Sequence, residues 1–95
     1  MAKAPEDKYY TNVMLAQSAD LLLTLKGIEC SFAIGYLEEG KVGISARSLG
    51  KVNVQLIMEE LGGGGHLANA ATQIEGVNLD EALERLNDAI DKITS

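Results

Sequence analysis

Gly62-Gly63-Gly64-Gly65-His66 is the segment of this chain whose composition points most directly to chemistry. One glycine is enough to end a preceding helix in a left-handed cap. Each further glycine costs roughly 0.5–1 kcal/mol of extra backbone entropy on ordering, in a domain whose whole stability is about 5–15 kcal/mol. Bare backbone lets a ligand touch N–H groups directly, and phosphate is the usual ligand of such a loop. The end of a helix closing at Leu61 is partially negative and repels an anion, so the attraction must come from the N–H groups of Gly63 to Leu67. A helical turn starting at His66 would add its positive end. His66 would then stand beside the anion as a hydrogen-bond donor. The competing reading is a flexible loop with an exposed histidine.

The second segment is Ser45-Ala46-Arg47-Ser48. Strand alternation places Ser45 and Arg47 on one face, away from the apolar Val42, Ile44 and Ala46. That face reads as open, with little steric cover. Arg47 can clamp a phosphate bidentately or stack on a base, and Ser45 and Ser48 can add hydroxyl contacts. Taken alone, the segment favours a plainer reading, a surface arginine paired with one of the many acids.

Other chemistries find little support. His66 is the single histidine, and no aspartates cluster near it at ligand spacing. Asp80, Glu81, Glu84, Asp88 and Asp91 read as the solvated face of a helix. Ser45 and His66 have no identifiable third partner for nucleophilic catalysis. The residues suit gripping a phosphate and do not suit hydrolysing one unaided.

The elements that must position these residues follow from periodicity. Polar Met1 to Lys8 holds the only proline, Pro5, and residues 1–9 read as a linker. A helix is predicted over Thr11–Lys26, its apolar face built from Met14, Ser18, Leu21, Leu22 and Leu25, with Gly27 at C′. A hairpin follows, with Cys30, Phe32, Ile34 and Tyr36 facing the core on its first strand and a turn at Glu38–Lys41. A second helix is predicted over Asn53–Leu61, capped by Asn53, with a Val54, Ile57, Met58, Leu61 stripe. His66–Ala71 could form one helical turn and Thr72–Glu75 a third strand. The last helix runs from Leu79 to Ile93, with Asn78 and Glu81 at capping-box spacing. The expected class is α+β: a small mixed, partly antiparallel sheet with about three packed helices, one domain over residues 10–95.

Composition sets limits on partners. The chain has 95 residues, 46% of them apolar, and a formal charge of −6. That charge argues against non-specific binding of long nucleic acid, which needs a broad basic surface. The lone Cys30 excludes an intrachain disulfide and reads as a structural thiol. Met1–Tyr10 lacks a signal-peptide core, and no apolar run approaches the roughly 20 residues that span a bilayer. The expected location is cytoplasmic.

Ile44-Ser45-Ala46-Arg47-Ser48, Asn53-Val54-Gln55, Ile57-Met58, Leu61 through His66 and Asn69-Ala70-Ala71-Thr72-Gln73 together resemble a known pattern. It is that of the C-terminal DHH-associated, substrate-binding domain of DHH-family phosphoesterases. Within that family the chain is similar to the branch of membrane-anchored cyclic-di-AMP phosphodiesterases. The glycine–histidine motif is shared more widely, with nano-RNases and single-strand exonucleases, so a nucleic-acid-binding module without activity of its own is the alternative. The resemblance implies a partner N-terminal DHH catalytic domain carrying two manganese ions, whose ligands are absent here, and a parent anchored in a membrane through other domains. It casts Gly63, Gly64, Gly65 and His66 as phosphate contacts, and Arg47 with Ser45 and Ser48 as contacts to phosphate or base. The implied substrate is a dinucleotide, cyclic or linear, or a short nucleic acid. The implied function is substrate recognition for a metal-dependent phosphodiesterase, with no hydrolysis by this chain alone. A homodimer is left open.

Overall fold

The computed structural model describes residues 2–3, 8–26 and 29–94. Its elements are β1 (Ala2–Lys3), α1 (Asn12–Lys26), β2 (Cys30–Glu38), β3 (Lys41–Ser48), α2 (Val54–Glu60), β4 (Gly64–His66), β5 (Asn69–Glu75) and α3 (Leu79–Thr94). The sheet order is β1-β2-β3-β5-β4. The last four strands are antiparallel, and β1 joins β2 in parallel. The architecture is the expected α+β one, with three helices. Of the linker reading, residues 1 and 4–7 lie outside the described residues, as does Gly27 of the helix-cap expectation.

The register divides the sheet into two faces. Phe32, Ile34 and Tyr36 stand opposite Ala46, Ile44 and Val42, which in turn oppose Ala70, Thr72 and Ile74. These rows meet Val54, Ile57 and Met58 of α2 and Leu79, Ala82, Leu86 and Ala89 of α3 in the main core. Each fully buried branched side chain of this kind contributes about 1.5–3 kcal/mol. Local chemistry holds the helices in place. Asn53 Oδ1 accepts from Leu56 N–H at 3.2 Å, and Asn78 Oδ1 accepts from Glu81 N–H at 2.8 Å, so both predicted caps form. Tyr36 reaches across from β2 and accepts from Leu79 N–H with its hydroxyl at 3.1 Å.

The other face corrects the sequence reading. It is not open along β2 and β3, because α1 lies on it. The residues beneath are Ser31, Ala33, Gly35, Gly43 and Ser45, all buried. They are small, so the helix sits close. A Cβ on Gly43 would stand 2.9 Å from Leu15 Cδ1 and from Leu37. Ser31 Oγ donates to the Ala19 carbonyl at 2.6 Å. Consequently α1 buries Leu15 and Ala19. The expected packing face is wrong at three of its members: Met14, Ser18 and Leu21 are exposed. Leucine-rich periodicity favoured the bulkier stripe, but a floor of glycine and alanine accepts the slimmer one.

Candidate functional site

Helix α1 covers only half of this face. Beyond it, β5 and the edge strand β4 lie uncovered. Along β5 the residues Asn69, Ala71 and Gln73 are exposed, while Ala70, Thr72 and Ile74 point into the core. The flank of α1 carries Asn12, Ala16 and Asp20 at i, i+4 and i+8, one row along a helix. A trough results, walled by α1 and floored by strand backbone. A cavity of about 480 Å³ lined by Asn12, Gly62, Gly63, Ala71, Thr72 and Gln73 lies on this side of the sheet, and Arg47, Asn69 and His66 are not among its lining residues. A larger cavity of about 590 Å³ opens beside Tyr9, Glu39, Gly40 and Gly76. It lies at the end of the sheet away from Arg47 and His66, and among the described residues the one charged group lining it is the acid Glu39, which suits an anion poorly.

The segment His66–Ala71 is not the helical turn expected from its alanines. Gly64–His66 is strand β4, Leu67-Ala68 a tight turn, and Asn69 begins β5. The turn is tied down on both sides: Ser48 N–H donates to the Ala68 carbonyl at 2.9 Å and Val54 N–H to the Leu67 carbonyl at 3.0 Å. No positive helix end therefore stands at His66. As the edge strand of the sheet, β4 instead keeps alternate backbone groups outside the ladder.

Each glycine of the run now has an account. Gly62 (φ 86°) is the left-handed residue of a Schellman cap on α2. Gly62 N–H donates to Glu59 O at 3.1 Å and Gly63 N–H to Met58 O at 2.8 Å, the paired bonds of that motif. Gly63 lies so close to β5 that a Cβ would overlap the Ala71 carbonyl oxygen and Thr72. Thr72 Oγ1 fixes this approach by donating to the Leu61 carbonyl at 3.1 Å. Gly65 has φ 143°, and a Cβ there would stand 2.6 Å from Ala70 Cα. Gly64 alone has neither a positive φ nor a neighbour within 4 Å of an added Cβ. The expectation that three glycines lack a structural reason holds for this one. Gly64 pairs with Ala71 and so faces the trough.

The register also aligns the chemistry-bearing residues. Arg47 on β3 opposes Asn69 on β5, which opposes His66 on β4. Directly opposed residues share a face, so the three form one row across about 10 Å of sheet. His66 is exposed, and its Nδ1 accepts from Ala68 N–H at 3.2 Å. With Nδ1 as acceptor, the neutral ring carries its proton on Nε2, a donor. Arg47 is held by two bonds: Nε donates to Asp20 Oδ1 at 2.6 Å and Nη1 to the Ala46 carbonyl at 2.8 Å. A guanidinium has five N–H donors, so both Nη2 protons and one Nη1 proton remain for a ligand beyond these two bonds. The pairing of Arg47 with an acid, which the segment alone favoured, is present.

Ser45 and Ser48 sit differently from their expected exposure. Ser45 is 3% exposed beneath α1, and Ser48 is 6% exposed, its Oγ accepting from Gly50 N–H at 3.0 Å. Asn69, Gln73, Asn12 and Asp20 were not singled out from the sequence. The alternation of Asn69, Ala71 and Gln73 was a legible sign for the first two; nothing local marked the α1 residues. Among the described residues no group of three or more His, Cys, Asp or Glu could hold a metal ion. None of their helices is long and apolar enough to cross a membrane.

Four antiparallel strands with helices on both faces, and an uncovered edge beside β5, are the frame in which these residues sit. The chain belongs to the DHHA1 domain family, whose pattern it matches over residues 2–93. It is 58% identical over 87 residues to the cyclic-di-AMP phosphodiesterase GdpP of Bacillus subtilis, covering 92% of this chain and 13% of that protein. It is 50% identical over 91 residues to the cyclic-di-AMP phosphodiesterase PdeA of Listeria monocytogenes, covering 96% and 14%. The bifunctional oligoribonuclease and PAP phosphatase NrnA of Thermus thermophilus is 40% identical over 70 residues, covering 74% and 21%. The chain thus spans a small part of each relative's length. Among solved structures, the pGpG-specific phosphodiesterase PggH of Vibrio cholerae shares the fold. Its TM-score is 0.60 at 17% identity, over 80% of this chain and 27% of that one.

Proposed function

We propose that this domain binds the phosphodiester of a dinucleotide, with cyclic-di-AMP the first choice, and presents it to a hydrolytic centre carried elsewhere in its protein. The observation that supports this most is the Arg47–Asn69–His66 row lying beside Gly64, whose side-chain-free position nothing in the fold requires. The names of the relatives supply the substrate class. In this reading two of the three remaining Nη donors of Arg47 hold a phosphate oxygen pair. His66 Nε2–H and the outward backbone N–H of Gly65, next to the bare Gly64, hold the phosphate from the β4 side. Asn69, with an amide that both donates and accepts, sits between them and suits a base or ribose hydroxyl. The trough holds the scissile group in one orientation, and Arg47 reduces its charge. Ser45, buried under α1, and Ser48, buried and bonded to Gly50 N–H, do not touch the ligand in this reading.

The two manganese ions that the family resemblance implies do not fit the described residues, which offer no ligand group. Cleavage is accordingly assigned to a partner DHH domain of the same protein, and membrane anchoring to further segments. The Thermus relative's name favours short RNA as the competing ligand. The test is titration of the full-length protein, in EDTA, with cyclic-di-AMP, its linear product and a short RNA. Arg47→Ala should weaken dinucleotide binding by roughly 1.5–3 kcal/mol, the scale of a charged hydrogen bond, or about 10–150-fold. Unchanged affinity would refute the assignment.

A further inference from the structure

The Arg47 guanidinium does not face the trough as an unopposed charge. Asp20, on the flank of α1, lies 2.6 Å from Nε, with Arg47 only 12% exposed and Asp20 60% exposed. The Ala46 carbonyl takes one Nη1 proton. A phosphate on the remaining Nη donors would therefore meet a pair with no net formal charge, and its own charge would lie about 5–7 Å from the Asp20 carboxylate.

We propose that Asp20 is a specificity-determining residue, tuning Arg47 to accept a phosphodiester and to disfavour a terminal phosphomonoester. This rests on the reading that Arg47 holds a dinucleotide phosphate. A diester carries one negative charge, whereas a monoester carries about 1.5 to 2 at pH 7. Arg47 attracts the more heavily charged group more strongly, and Asp20 repels it more strongly. The carboxylate so cancels part of the preference for a monoester that Arg47 alone would show. At that separation, and at the effective dielectric of a half-exposed site, the extra charge costs roughly a 3- to 10-fold loss of affinity. The consequence is chemical. Cleaving one diester of a cyclic dinucleotide creates a 5′-monoester on the linear product, so the carboxylate that tolerates the substrate speeds departure of the product.

Three probes separate charge from shape in the full-length protein held in EDTA at constant pH and salt. They are cyclic-di-AMP, linear diadenylate with a 5′-phosphate, and the same diadenylate without it. Asp20→Asn keeps an oxygen acceptor for Nε and removes the charge. It should raise affinity for the 5′-phosphorylated diadenylate about 3- to 10-fold relative to both other probes, and Asp20→Glu should restore the original ratio. If Asp20→Asn weakens all three in parallel, Asp20 merely props Arg47 and the proposal is overturned. An unchanged ratio overturns it as well, even while Arg47→Ala weakens binding and so upholds the site. If no probe binds the unaltered protein, the reading of the site fails and this inference fails with it.

Discussion

Gly64→Ala separates function from folding more cleanly than any other change in the loop. Nothing lies within 4 Å of a Cβ built at Gly64, and its φ is not positive. Replacing glycine by alanine at a compatible position stabilises by about 0.4–1 kcal/mol, because the unfolded chain has fewer conformations to lose. In a domain of this size that corresponds to a melting point higher by roughly 2–6 °C. Its neighbours behave oppositely. Gly63→Ala must push the methyl into the Ala71 carbonyl and Thr72, and Gly65→Ala combines φ 143° with a 2.6 Å approach to Ala70. Each should lose about 2–4 kcal/mol, Gly63 from overpacking and Gly65 from overpacking with backbone strain added. Thermal denaturation of the three variants checks the order. Cyclic-di-AMP titration completes the assay: in the proposed site the Gly64 methyl would occupy the face on which phosphate approaches the edge strand, and affinity should fall at least 10-fold in a protein more stable than the original. A Gly64→Ala variant that binds normally refutes the contact. One that unfolds early refutes the structural account of the glycines.

Further outcomes follow from the same geometry. His66→Ala removes an exposed ring and the acceptor of Ala68 N–H, so stability should change by no more than about 1 kcal/mol while dinucleotide affinity drops about 3–10-fold; unaltered titration curves would exclude His66 from the site. The chain alone, supplied with manganese, should leave cyclic-di-AMP intact when followed by chromatography, since the described residues hold no metal-ligand group; turnover by a clean preparation would contradict this. Burial, reinforced by Glu29, pushes the Cys30 thiol above its ordinary range. Alkylation by iodoacetamide at pH 8 should therefore be slower than for a free thiol and climb as pH rises. The stability linked to this group is full below the unfolded thiol's range and is lost as pH rises through the folded value.

Much of this protein was determined by local sequence. Period-2 alternation in Cys30–Tyr36 and Val42–Ala46 and helical stripes in Val54–Leu61 and Leu79–Ile93 set the α+β class. The Asn53 and Asn78 caps marked where α2 and α3 begin, because capping needs only residues three apart. The glycine run and Arg47 were legible as anion-binding types. What lay over the second face of the sheet was decided by packing alone. Helix α1 is apolar on several sides, so its sequence could not say which side would be buried. Gly43, Ala33 and Ser31, distant in sequence, selected Leu15 and Ala19 by leaving room for nothing wider. That choice buried Ser45, brought Asp20 to Arg47 and left Asn69, Ala71 and Gln73 open. The glycines likewise could be counted but not told apart, since Gly63 and Gly65 are needed only against the β5 backbone, and that contact exists only after the strands pair.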